Sequence, residues 1–255
     1  MIPIKDDIPT RRFPIVTVAL IVINVIVYFV FEQGFWGLGE HGNEVVVEYG
    51  AIPTEITDPG TECTSVAGGT AIQCGPDSAV PGQAPFWLTI FTSMFLHGSL
   101  LHLAGNMLYL WIFGNNIEDS MNRLVFVVFY LLGGVAALGL QVVMDTDSAI
   151  PTVGASGAIA AVLGAYARLY PHARVVTVVI LIIIFTIVTL PALLVLGLWF
   201  VLQLLPAFSE PVGNTGGGVA YFAHIGGFLF GLLAIKLFAN NVNEDYDKAR
   251  RTPVY

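Results

Sequence analysis

Long apolar runs alternate with short polar breaks along this chain, and the runs have membrane length. Residues 13–31, 86–114, 123–143, 154–170, 175–205 and 219–238 are nearly free of charge. About 20 apolar residues in a helix cross the roughly 30 Å hydrocarbon layer of a bilayer. The pattern predicts an all-α, polytopic membrane protein with spans near 14–32, 99–120, 123–143, 154–170, 188–206 and 219–238. That leaves tails at 1–12 and 239–255 around a membrane domain, 13–238, with one long outer loop at 33–98. Two runs exceed a single crossing. The first divides at Gly98-Ser99, where Ser99 is a natural N-cap, so Phe86 to Leu96 reads as an interfacial segment. The second contains Pro191, and residues 175–187 read as an apolar, partly interfacial lead-in to the fifth span; one long kinked helix is the alternative. Phe13 to Phe31 ends in Phe-Glu-Gln-Gly rather than a small-residue cleavage site, so it reads as a retained span.

Composition agrees with that class. Of 255 residues 56% are hydrophobic and 11% charged, with a mean hydropathy of +0.78. The net charge of −8 matters less than its placement. No Lys or Arg lies between Arg12 and Arg123, an interval that contains the long hydrophilic loop. Six spans with cytoplasmic termini put all ten Lys and Arg inside and most of the 18 acids outside, as the positive-inside rule requires. Nucleic acid finds no basic surface here.

Polar groups within apolar spans are costly unless paired or facing water, so they are functional candidates. His97, His102 and Asn106 fall at the start of the second span, Gly154-Ala155-Ser156-Gly157 opens the fourth, and His224 lies beside Gly226 and Gly227 early in the sixth. In the six-span topology all of them sit at shallow depth near the outer face. His102 and Asn106, four apart, share a helix face and can aim donors at one point. Each group alone has a bland reading, as interhelical glue or packing. Asn24, in the first span, reads as a helix–helix hydrogen bond. The small-residue pairs Gly157/Ala161, Ala160/Gly164 and Gly227/Gly231 permit close helix approach, which also brings Ser156 towards His224. A serine needs such a base to act as a nucleophile. The glycine spacing differs from the Gly-x-Ser-x-Gly elbow of soluble hydrolases.

Together these segments resemble the rhomboid intramembrane serine proteases. The resemblance rests on His97-Gly-Ser-Leu-Leu-His102-Leu-Ala-Gly-Asn106, Gly154-Ala-Ser-Gly157 and Ala223-His224-Ile-Gly-Gly227-Phe-Leu-Phe-Gly231, in that order. It implies a six-helix rhomboid-like bundle with Ser156 as nucleophile and His224 as general base, a dyad without a carboxylate. His102, Asn106 and the Ser156 backbone N–H would form the oxyanion hole, with His97, Gly154, Gly157 and Gly227 in support. The fifth span and the Gly-rich loop Gly213 to Gly218 would gate substrate access. Two departures stand out. Some relatives have an aromatic residue where this chain has Ala160, leaving open what orients His224, and the Trp-Arg pair of some first loops is missing.

The implied activity is an intramembrane serine endopeptidase cutting transmembrane proteins in or near their membrane segments. Its partners would be those substrates and the lipid bilayer, with no cofactor and no metal. A three-histidine zinc site from His97, His102 and His224 would leave Ser156 and Asn106 unexplained. The expected location is a prokaryotic plasma membrane, with both termini cytoplasmic and the active site open to the outer face. The rival reading is an inactive rhomboid-like protein that binds or chaperones membrane clients. Cys63 and Cys74, in one outer loop, suit a disulfide in an oxidising compartment, or remain free thiols.

Overall fold

The computed structural model describes residues 1–33, 42–58, 60–66, 71–76, 84–181, 184–209, 219–240 and 242. Strand β1 (Ile2–Asp6) precedes α1 (Ile15–Glu32), the short α2 (Gly42–Tyr49) and α3 (Pro53–Thr57), and strands β2 (Glu62–Val66) and β3 (Ala71–Gly75). Then come α4 (Phe86–Phe95), α5 (Leu100–Asp119), α6 (Arg123–Met144) and α7 (Ser156–Leu169). Strands β4 (Arg174–Leu181) and β5 (Ile184–Pro191) lead to α8 (Ala192–Ser209) and α9 (Tyr221–Phe238). The architecture is a largely helical membrane bundle. Helices α1, α6 and α9 are long and apolar enough to cross a membrane, and α4 with α5, bent by 79°, qualify as a pair. Helices α7 and α8 are apolar but shorter, so among the described residues length and composition support at least three crossings, or four if the bent pair is one span.

The all-α expectation is corrected by five strands among the described residues. The expected lead-in at 175–187 and the start of the fifth span near 188 are a β-hairpin. Arg174 pairs with Pro191 and Leu181 with Ile184, and β1 adds antiparallel to β4, giving the order β1-β4-β5. From Val175 to Thr189 nearly every residue is Val, Ile or Thr, and their branched Cβ atoms pack well on a pleated surface and poorly in a helix. Pro191 ends the ladder, and α8 starts directly after it. Residues 1–12, expected as a tail, thus contribute a strand.

Helix directions follow from side-chain contacts. Glu118, near the end of α5, accepts hydrogen bonds from Val16 N, Thr17 N and Thr17 Oγ1 at 3.1, 2.8 and 2.8 Å, at the start of α1. At the other end of α1 the Glu32 carboxylate accepts the His97 N–H at 2.9 and 3.0 Å, so α1 and α5 are antiparallel. Helix α7 is central. It is rich in Gly and Ala, and nearly every side chain from Gly157 to Ala167 is buried, as expected of a helix apolar all round. A Cβ on Gly227 would run into the Gly157 carbonyl oxygen, and one on Gly231 into that of Ala161, so α9 lies parallel to α7 at backbone contact. Helix α6 runs the other way, its Gly133 against Ala161 and its Ala137 against Gly157.

The two ends of the bundle differ. One carries the three-stranded sheet, the Arg11 and Arg12 ion pairs to Asp119 (3.1 and 3.2 Å), and Asp6, whose Oδ2 accepts from Tyr166 Oη and Asn116 Nδ2, both at 2.6 Å. The opposite end carries Glu32, His97 and the start of α7. Within loop 33–98, β2 and β3 pair with Cys63 opposite Cys74 in a disulfide, and Ala51 bridges to Thr152 just before α7. The Gly-rich loop Gly213 to Gly218 and most of the tail 239–255 lie outside the described residues. Asn24 is buried in α1, where its Nδ2 donates to Leu20 O in the same helix at 2.7 Å, not to another helix.

Candidate active site

At the end of the bundle away from the sheet, three helix starts converge on a cavity of about 650 Å³ lined by Ser156, His224, His102, Asn106, Gly154 and Trp199 among others. Ser156 is the first residue of α7, and its N–H belongs to the first turn, where amides have no partner inside the helix. His224, on the second turn of α9, places Nε2 2.8 Å from Ser156 Oγ. The backbone contact between Gly227 and Gly157 is what allows that distance: a side chain there would separate the two helices.

The second group comes from α5. Ser99 caps that helix, its hydroxyl accepting the His102 N–H at 3.1 Å. Asn106, one turn later, is buried, and its Nδ2 has no acceptor among the described residues. A buried amide donor without a partner costs free energy, and this one belongs to a residue that lines the cavity of Ser156. Gly154 joins His102 to the serine. It has φ +124, and a Cβ there would lie 2.7 Å from His102 Cε1 and 3.5 Å from Ser156 Oγ. Only glycine adopts that backbone without strain, and only glycine leaves room for the imidazole.

The structure therefore brings Ser156, His224, His102, Asn106, Gly154, Gly157 and Gly227 together. His97 stands behind them, buried, its ring edge-on to His102 with centroids 5.1 Å apart. Among the described residues no group of three or more His, Cys, Asp or Glu has a metal-site arrangement.

Residues 84–241, more than half the chain and all of this site, match the Rhomboid domain family. The chain belongs to the rhomboid family. Rhomboid protein 1, mitochondrial, of Saccharomyces cerevisiae is 31% identical over 157 residues, 57% of this chain and 40% of that protein. Presenilin-associated rhomboid-like protein, mitochondrial, of Mus musculus is 34% identical over 157 residues, 55% of this chain and 35% of that one. Rhomboid protease GluP of Bacillus subtilis is 35% identical over 79 residues, 31% of this chain and 15% of that protein. The matches span less than half the length of each relative. This rhomboid is thus a multi-pass membrane protein, and of these three relatives, mitochondrial or bacterial, one is named a protease, one a rhomboid protein and one rhomboid-like.

Sequence reasoning missed two contacts of this rhomboid site. Gln203 of α8 sets its Oε1 2.8 Å from His224 Nδ1, and the Trp199 ring lies 5.8 Å from the imidazole, centroid to centroid. Both contacts come from α8, whereas position 160 on α7 is a buried alanine packed against Gly227. The signal was available, since Gln203 is the only polar side chain between Leu193 and Phe208 besides the indole of Trp199, four residues earlier on the same face. Glu32 was read as a span end, yet it is buried and fixes the His97 backbone.

Proposed function

We propose that this rhomboid is an intramembrane serine endopeptidase that cuts transmembrane proteins in or near their membrane segments. The observation that carries this reading is the 2.8 Å contact between Ser156 Oγ and His224 Nε2, facing the same cavity as the unpartnered donor of Asn106.

In this mechanism His224 Nε2 takes the hydroxyl proton as Ser156 Oγ attacks the scissile carbonyl carbon. The carbonyl oxygen becomes an oxyanion, held by Asn106 Nδ2–H, by His102 and by the Ser156 N–H. The C–N bond then breaks as His224 returns the proton to the departing amine, leaving an acyl-enzyme on Ser156. Water, deprotonated by His224, releases the acid and restores the serine. Gly154 keeps His102 beside the serine, and Gly157 and Gly227 keep α7 and α9 close enough for the dyad.

The same proposal takes α7 and α8 as short spans of a six-span domain, 13–238, in a prokaryotic plasma membrane. Both termini lie on the cytoplasmic side and the cavity opens outward. Charge supports this orientation, because Arg11, Arg12, Arg123, Arg168 and Lys236 all belong to the end of the bundle opposite the cavity. The partners are single-pass or other transmembrane substrates and the bilayer itself.

The test compares wild type, Ser156→Ala and His224→Ala on a fluorescent single-span substrate in liposomes, together with a serine-directed fluorophosphonate probe. Cleavage and labelling by wild type alone support the dyad. Equal cleavage in all three sinks it, and a wild type that neither cleaves nor labels belongs with the client-binding rhomboid-like proteins.

A further inference from the structure

Among the described residues, Gln203 is the side chain hydrogen-bonded to the far side of the candidate base. Its amide has two ends, and the structure gives each a partner. Nε2 donates to the carbonyl oxygen of Trp199, one turn back in α8, at 3.4 Å. Oε1 is thereby turned towards His224, 2.8 Å from Nδ1. An amide oxygen only accepts hydrogen bonds, so Nδ1 must carry the imidazole proton. In a neutral ring the other nitrogen, Nε2, is then the acceptor, and it is Nε2 that faces the Ser156 hydroxyl at 2.8 Å.

We propose that Gln203 is a positioning residue for the proposed peptidase, holding His224 in the Nδ1–H tautomer and aiming its free lone pair at Ser156. The inference rests on the Ser156–His224 reading. It assigns to a neutral amide the role that a carboxylate plays in soluble serine hydrolases. A carboxylate at this depth would carry a desolvation cost that an amide avoids. Trp199 contributes twice, through its carbonyl oxygen to the Gln203 amide and through its ring beside the imidazole. Both side chains belong to α8, whereas Ser156 and His224 belong to α7 and α9. Any movement of α8 away from α9 therefore removes the acceptor from Nδ1 and leaves the base free to turn or change tautomer.

The experiment measures kcat and KM for wild type, Gln203→Met and Gln203→Glu on the full chain in liposomes, with Ser156→Ala alongside. Met matches the length of Gln and suits an apolar helix but has no strong acceptor. Glu keeps an oxygen at the Oε1 position. A positioning role predicts that Gln203→Met loses about 10- to 100-fold in kcat with KM within about twofold of wild type. It also predicts that Gln203→Glu recovers at least about a third of the wild-type kcat, because the acceptor returns. A packing role predicts the reverse order, with Met tolerated and the acid disruptive. Wild-type kcat in Gln203→Met, or equal loss in both variants, overturns the inference while the dyad reading stands. Cleavage that survives Ser156→Ala would instead bring down the dyad itself.

Discussion

Gly227 rests against the carbonyl oxygen of Gly157, so that no side chain fits between α9 and α7. Gly231, four positions further along, meets Ala161 in the same way, and the contact runs along one face of each helix. Its consequence is local to the site, because His224 lies one turn before Gly227 and Ser156 directly before Gly157. Gly227→Val is expected to push the helices apart, lower stability by about 1–3 kcal/mol or more, and abolish cleavage even in chains that remain folded. Gly139 of α6 is the control, since a Cβ there meets nothing within 4 Å. Gly139→Ala should leave kcat unchanged and raise stability by about 0.5–1 kcal/mol. Thermal unfolding in detergent, read beside cleavage, checks both.

Asn106→Ala tests the oxyanion reading. The Nδ2 donor has no acceptor among the described residues, so its removal breaks no hydrogen bond among them and should leave the unfolding midpoint nearly unchanged. If the oxyanion uses it, kcat falls about 100- to 1,000-fold, the usual cost of one such donor. A variant with wild-type kcat would return Asn106 to interhelical packing.

The residues of this site were legible because an apolar background isolates them. A Ser, an Asn or a His in a span has few structural excuses, and three groups at matching depth in three spans have fewer. Gln203 obeys the same rule, but its partner lies 21 positions away, and only packing reveals which of several polar groups it meets. Glu32 and Glu118 stand at the ends of apolar runs, where a charge is ordinary, so their roles depended on where α1 and α5 cross. The hairpin at 174–191 was misread for another reason. An apolar run of that length satisfies a span and a strand pair equally by hydropathy. The discriminating feature was the density of β-branched residues, which weighs less than length when a membrane is already assumed.

Glu118 caps α1 from elsewhere in the chain. Pro14 precedes the helix and offers no side-chain acceptor, so the amides of Val16 and Thr17 turn to the buried carboxylate of Glu118 instead. Three donors converge on that group, and Glu118→Ala strands all of them in a buried place. The expected loss is about 2–4 kcal/mol, with Glu118→Gln losing roughly half as much because one oxygen remains. Since Glu118 stands at the end of the bundle opposite the cavity, kcat below the unfolding transition should be unchanged in both. A fall in kcat at full folded population would mean that the α1–α5 crossing reaches the site.

Asp6 gives the fold a pH dependence whose sign is fixed by burial. Its carboxyl is raised from 3.8 to about 6, chiefly by desolvation, even though the Tyr166 hydroxyl donates to it and pulls the other way. The unfolded chain ionises this group near 3.8 while the folded chain holds its proton to about 6. The contribution of Asp6 is therefore greatest below 3.8, declines as pH rises to about 6, and is level above that. The full swing is about 3 kcal/mol. In Asp6→Asn the amide oxygen can take the place of Oδ2, which accepts from both Tyr166 and Asn116, and nothing ionises. Stability at pH 7 should then rise, and the gap between unfolding midpoints at pH 4 and pH 7 should shrink. An unchanged gap would assign the pH dependence to another group and leave Asp6 ionised in the fold.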